Sequence, residues 1–203
     1  MKQNILIAGV GGQGNLFASA LLAKSAIRRG YQVLATETIG AAQRGGSVVS
    51  HVRIADQALY SPLIPDGQAD CLVGFEPVEL LRQIRKLKAG GIYIMNTHAV
   101  LTVGCTMGLD QYPTMSEIFG ALNEINVRGH VIQATDAADK IGDPLLMNMV
   151  MLGALCAVSA FFKLDEIKAI VAEESRRAMV EANLDALDAG VDLIRQAAEA
   201  QPV

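Results

Sequence analysis

Three stretches of the sequence hold residue types whose spacing could do chemistry. The first is Gly9-Val-Gly11-Gly12-Gln13-Gly14, a G-x-G-x-x-G pattern that follows an apolar run and precedes a segment with helical spacing. Glycines placed this way let the chain turn tightly and let a phosphate approach the N–H groups at a helix start. Glu37 ends the next strand-like run, 23 residues after Gly14, about where an acid would meet a ribose hydroxyl. By themselves these residues fit a dinucleotide site. They fit equally well a loop whose glycines pack helix against strand and face a partner.

The second stretch is Gln43-Arg44-Gly45-Gly46-Ser47. Paired glycines beside an arginine suit a loop whose backbone approaches an anion while the guanidinium forks onto it. The alternative is a hairpin entry with Arg44 in water. His51 and Arg53 follow on one face of an alternating strand, where a lone histidine is more often structural than catalytic. The third group stands at strand ends: Glu76, and Asn96-Thr-His98. Ligands of α/β sheets gather at that carboxyl edge, although Glu76 also suits the favourable acid at a helix N-terminus. No pair has metal-ligand spacing, so no metal is assigned, and no serine or cysteine has a nucleophile signature.

These residues need a scaffold, and the pattern supplies one. Strands are expected over residues 4–9, 31–37, 47–54, 70–75, 92–96 and 131–135, with residues 31–37 completing a βαβ unit and a hairpin closing at residues 58–60. Helices are expected over residues 15–29 (ended by Gly30), from Pro77 to about Lys88 (ended by Gly90 and Gly91), and after Thr114. Thr114 with Glu117 matches a capping box. Three more are expected over residues 144–162, about 165–174 and about 176–199. Strands alternating with helices imply a three-layer α/β/α sandwich with a mainly parallel sheet, made mixed by the antiparallel excursion. Residues 1–203 read as one domain.

Composition narrows the function classes. Hydrophobic residues are 51% and charged residues 19% of the 203, which excludes disorder and leaves apolar surface for a partner to cover. A net charge of −4 gives no electrostatic case for nucleic acid. The basic residues Arg82, Arg85, Lys86 and Lys88 read as one solvated helix face. The three cysteines, Cys71, Cys105 and Cys156, lie far apart. They are too few for the four thiolates of an iron–sulfur cluster. The apolar run at residues 145–162 has spanning length, but Asp143-Pro144 before it is a soluble-helix start, so it reads as a buried central helix. No cleavable leader is read at the N-terminus, and a cytoplasmic location is expected.

The motifs in their order resemble a known family. GVGGQG at residues 9–14, Gln43-Arg-Gly-Gly-Ser-Val with Ser50-His-Val-Arg53, Phe75-Glu-Pro-Val-Glu79, Tyr112-Pro113-Thr114 and Leu152-Gly-Ala154 look like the gamma-type subunit of 2-oxoacid:ferredoxin oxidoreductases. Their order is most similar to the beta subunit of the indolepyruvate branch. The resemblance implies a role in oxidative decarboxylation of a 2-oxoacid to an acyl-CoA, with electrons passing to ferredoxin. It implies that thiamine diphosphate and the iron–sulfur clusters sit on a large partner subunit, with coenzyme A bound in the complex and no cofactor held by this chain alone. Residues Gly9, Gly11, Gly12, Gln13, Gly14, Gln43, Arg44, Gly45, Gly46 and Ser47 are then the expected cofactor or coenzyme A surface facing the partner, with Arg44 on an anionic group. No catalytic residue is assigned. A homodimer of the isolated chain is compatible with the sequence, as are two rival readings: a stand-alone NAD- or flavin-dependent reductase, and a nucleotide-sensing or assembly module.

Overall fold

The apolar run near the N-terminus becomes the central strand. In the computed structural model, which describes residues 1–40, 45–125 and 127–199, β1 (Lys2–Val10) lies between β3 (Ser47–Ala55) and β4 (Ala69–Gly74). Ile5, Leu6, Ile7 and Ala8 are all buried, because alternate side chains point to opposite faces and both faces are covered. With β2 (Gln32–Ile39), β5 (Leu87–Asn96) and β6 (Arg128–Ile132), the sheet order is β2-β3-β1-β4-β5-β6. Strands β1, β4, β5 and β6 are parallel, while β3 is antiparallel to both β1 and β2. The sheet is mixed, as expected.

The helical layers are unequal. One face carries α1 (Asn15–Arg28), α5 (Ala134–Ile141), α6 (Met147–Val158), α7 (Leu164–Glu174) and α8 (Val180–Glu199). The other carries α2 (Pro77–Gln83) and α4 (Met115–Glu124). A one-turn helix, α3 (Val103–Thr106), sits in the loop after β5. Helix α6 is apolar all round because α8 lies directly on it. A Cβ on Gly153 would stand 2.0 Å from the carbonyl oxygen of Leu187, and one on Gly190 1.9 Å from that of Val150. The backbones touch where the side chains are missing. Among the described residues no helix is long and apolar enough to cross a membrane.

Several local expectations change. The helix after Pro77 ends at Gln83, passes through a 3-10 turn at Ile84–Lys86, and Gly90 and Gly91 lie inside β5. Pairing of Ala69 with Leu87 and of Cys71 with Ile92 across a register shift accounts for this early start. The expected hairpin at residues 58–60 does not form; the hairpin is β2–β3 itself. The final strand ends at Ile132, and residues 134–141, expected in part as strand, form α5. The capping box at Thr114 and Glu117 forms as expected.

Candidate functional site

The chain leaves β1 toward β2 on one side and leaves β4 toward β5 on the other. Helix α1 covers one face, α2 the opposite face, and a crevice opens between the carboxyl ends of β1 and β4. Open α/β sheets bind ligands at such a reversal of strand order.

Loop 9–14 forms the floor. Gly14 caps α1 with φ 81°, a left-handed conformation that glycine adopts without strain. A side chain there would also strike the amide of Asn148. Gln13 staples the loop: its Oε1 accepts the Val10 N–H at 2.8 Å and its Nε2 donates to the Phe75 carbonyl at 3.3 Å. The Gly11 N–H donates to the Gly46 carbonyl at 2.9 Å, which ties the first loop to the second. Ser47 Oγ then donates to Glu79 Oε2 at 2.6 Å, and Arg82 donates to Glu79 Oε1. Gly45 is exposed, whereas Gln43 and Arg44 lie outside the described residues.

The far wall is built on Glu76, only 1% exposed. Its Oε2 accepts the Glu79 N–H at 2.8 Å and caps α2. Its Oε1 accepts the Val100 N–H at 3.3 Å and the Tyr112 hydroxyl. Burial, followed by the Glu76 carboxylate, holds the Tyr112 hydroxyl well above the usual phenol range. The carboxylate therefore clasps both ends of the loop at residues 100–112. A cavity of about 310 Å³ lies within these walls, lined among others by Val10, Glu79, Arg82, Thr102, Cys105 and Asp110. On the other side of loop 9–14 a hollow of about 350 Å³ is lined by Gly11, Gly12, Gly14, Asn15 and Glu37.

A family model described as pyruvate ferredoxin/flavodoxin oxidoreductase matches residues 4–193. The chain belongs to that family. It is 38% identical over 191 residues to the indolepyruvate oxidoreductase subunit IorB of Archaeoglobus fulgidus, covering 94% of each chain. It is 29% identical over 198 residues to the 2-oxoglutarate synthase subunit KorC of Methanothermobacter marburgensis, covering 97% of this chain and 98% of that one. The pyruvate oxidoreductase subunit PORC of Thermotoga maritima superposes with a TM-score of 0.72 at 25% identity, over 95% of this chain and 96% of that one. The 2-oxoglutarate:ferredoxin oxidoreductase of Magnetococcus marinus gives 0.73 at 23% identity. It matches 96% of this chain but only 31% of its own, so there the fold is one part of a longer polypeptide.

Within this family member the motif residues divide by task. Val10, Glu76 and Glu79 line the crevice, and Gln13, Gly46 and Ser47 are hydrogen-bonded to its surroundings, whereas Gly11, Gly12 and Gly14 line the hollow on the other side of the loop. His51 and Arg53 line neither. His51 Nδ1 accepts the Ile64 N–H at 3.1 Å, and Arg53 donates to the carbonyls of Ser61 and Leu63 at 2.6 and 3.2 Å. Together they strap residues 56–68 across the sheet. Burial, with Lys86 and Arg53 adding, pushes the His51 imidazole down to about 4, so it is neutral and structural. Asn96, at the end of β5, donates to the Phe75 carbonyl at 3.1 Å and accepts the N–H groups of Ala134 and Thr135, capping α5. His98 is exposed.

Two features were missed in the sequence. The basic residues do not share one face: Arg85 and Lys86 pair with Asp66, Lys88 pairs with Asp70, and Arg82 lines the crevice. The end of α2 at Gln83 separates them. The wall role of loop 97–113 leaves no signal in the sequence, because it depends on Tyr112 reaching Glu76, 36 positions away.

Proposed function

We propose that this chain is the cluster-free small subunit of a 2-oxoacid:ferredoxin oxidoreductase acting on an arylpyruvate such as indolepyruvate. Its carboxyl-edge crevice faces a large subunit that carries thiamine diphosphate and the iron–sulfur clusters. The observation that carries the reading is the apolar rim of that crevice. Leu16, Ile39, Leu101, Val103, Met107 and Leu109 range from 58 to 74% exposed, and all lie at the carboxyl end of the sheet. Apolar side chains gathered around a polar crevice mark a surface that another protein covers. The substrate class rests on the likeness to the indolepyruvate oxidoreductase subunit, and the division of cofactors rests on this chain's own thiols.

Burial pushes the Cys71 and Cys156 thiols each up to about 12, so neither is available as a thiolate, and Cys105 alone cannot hold a cluster. The residues present do not fit an iron–sulfur centre. When bound to the partner, thiamine diphosphate supplies the carbanion chemistry of decarboxylation. This chain's part is to hold and orient. Loop 9–14 and the ends of the β2–β3 loop bring glycine backbone beside the crevice, which leaves room for the phosphates of coenzyme A to approach. Arg44, between β2 and β3 in the sequence, is proposed to contact the same anionic ligand.

Co-expression with a thiamine-dependent large chain bearing clustered cysteines tests the reading. A stoichiometric complex that reduces ferredoxin only in the presence of arylpyruvate and coenzyme A is expected, with the isolated chain inactive. Turnover by the isolated chain refutes it. The nicotinamide reading retains one observation, since Glu37 lines the same hollow as Gly11, Gly12 and Gly14. However, β3 separates β2 from β1, and Glu37 already accepts the Ser50 hydroxyl at 3.1 Å. Saturable micromolar NADH binding by the isolated chain would revive that reading.

A further inference from the structure

Of the twelve residues lining the 310 Å³ cavity, Arg82 is the one cation. Its side chain is 52% exposed, yet it is not free to wander. One N–H is held by Glu79, whose side chain is 4% exposed and whose other oxygen is held by Ser47. A guanidinium has five N–H donors in a rigid fork, so a carboxylate on one edge leaves the other edge free. Two of the three acids lining the cavity, Glu76 and Glu79, are already engaged and do not compete for that edge. Glu76 already accepts from Glu79 N, Val100 N and Tyr112 Oη, and Glu79 is the group that aims the fork.

We infer that Arg82 is an oxyanion-binding residue of the crevice, with Glu79 and Ser47 as its positioning residues. The inference rests on the proposed function for the identity of the ligands. A carboxylate or a phosphate oxygen pairs with the free edge of the guanidinium, since both match its fork. The two sources of that chemistry in the reaction are the carboxylate of the 2-oxoacid and a phosphate of coenzyme A. Asp110 and Thr102, on the same cavity wall, accept hydrogen bonds from the uncharged part of whichever ligand enters. Arg82 lies outside every motif that carried the family resemblance, while Ser47 and Glu79, which aim it, lie inside two of them.

The test uses the assembled complex with Arg82→Gln, Arg82→Lys and Ser47→Ala in this subunit. Michaelis constants are measured separately for coenzyme A and for the 2-oxoacid, and assembly is followed by size exclusion. Arg82→Gln is expected to raise one of the two constants by about tenfold or more at nearly unchanged kcat. A rise for coenzyme A identifies the phosphate, and a rise for the 2-oxoacid identifies the carboxylate. Arg82→Lys recovers part of the loss because the charge remains without the fork, and Ser47→Ala gives a smaller rise of the same constant. Both constants within about twofold of wild type in an intact complex, or a folded Arg82→Gln chain that no longer assembles, overturns the inference. Should the wild-type complex show no turnover, the functional reading fails on its own. The Arg82 Nε–H resonance of the isolated chain, titrated with coenzyme A and with indolepyruvate, then decides: a saturable shift upholds the inference, and no shift overturns it.

Discussion

The crevice at the ends of β1 and β4 and the crossing of α6 with α8 both depend on glycine, for opposite reasons. At the crossing, Gly153 and Gly190 are needed because a carbonyl of the other helix occupies the space of a side chain. The contact is apolar and buries most of α6. In the crevice, Gly14 is needed for its backbone angle, and the surroundings are a polar network of Gln13, Ser47, Glu76, Glu79 and Tyr112. One region holds the fold together through close packing, and the other holds a surface in shape through hydrogen bonds. Substitutions in the two should therefore fail differently: the first by unfolding, the second by loss of ligand or partner from a folded chain.

The largest expected effect tests the first half of that contrast. Gly190→Val drives methyl groups into the Val150 carbonyl and should cost at least about 3 kcal/mol, read as a large drop in the denaturant midpoint of the isolated chain. A midpoint near wild type would show that the helices can separate without loss. Next is Glu76→Gln. The amide replaces one accepting oxygen with a donor, so the Glu79 N–H or the Val100 N–H loses its partner inside a buried site, while the Tyr112 hydroxyl can turn to accept. A cost of about 2 kcal/mol is expected. Hydrogen exchange should rise over residues 100–112 while α6 and α8 stay protected. Equal loosening at the helix crossing would erase the distinction between the regions.

A third measurement uses pH on the strap rather than the crevice. His51 binds its proton at about 4 in the folded chain against 6.5 for the ordinary group. The unfolded chain therefore holds more protons between those values, and stability rises with pH across that window. Lowering the pH from neutrality to 4.5 should lower the midpoint, with a contribution from His51 of at most about 1.4 kcal/mol per pH unit. His51→Gln, which keeps an acceptor for Ile64, should flatten that part of the profile; an unchanged slope would remove His51 from the strap's account. The smallest effect is Ser47→Ala, about 1 kcal/mol, because Glu79 keeps Arg82 and only one hydrogen bond is lost. Its consequence should be seen in ligand affinity more than in stability.

Much of the fold was legible because its signals are local. The run from Ile5 to Ala8 has no polar residue and becomes a strand covered on both faces. Gly30 ends α1, Pro77 opens α2, and Thr114 with Glu117 caps α4. The boundary errors have a common cause. Gly90 and Gly91 look like helix terminators until β4 pairs with β5 and draws them into a strand. The apolar run at residues 145–162 looks like one long helix until Pro144–Leu146 tightens into a 3-10 turn and Ser159 ends α6 by bonding the Phe161 and Phe162 N–H groups.

The candidate site was legible in its motifs but not in its wiring. Gln13 and Asn96 read as site residues, and each turns out to serve the Phe75 carbonyl from opposite sides. Ser47 and Glu79 read as parts of separate motifs and prove to be hydrogen-bonded to each other. Arg82 read as a solvated cation and lines the crevice.

The sequence by itself determined the class of fold, the glycine loop at the start of α1, the family, and a count of three cysteines, too few for a four-thiolate cluster. Each of these is a property of residue types and short spacings. Only the tertiary structure decided that β3 lies antiparallel between β2 and β1, that His51 and Arg53 hold a strap, and that Glu76 and Glu79 organise the crevice walls. Those outcomes depend on which distant segments meet. Hydrogen bonds spanning 13 to 36 positions, such as His51 with Ile64, Ser47 with Glu79 and Tyr112 with Glu76, leave no periodic trace in the chain that makes them.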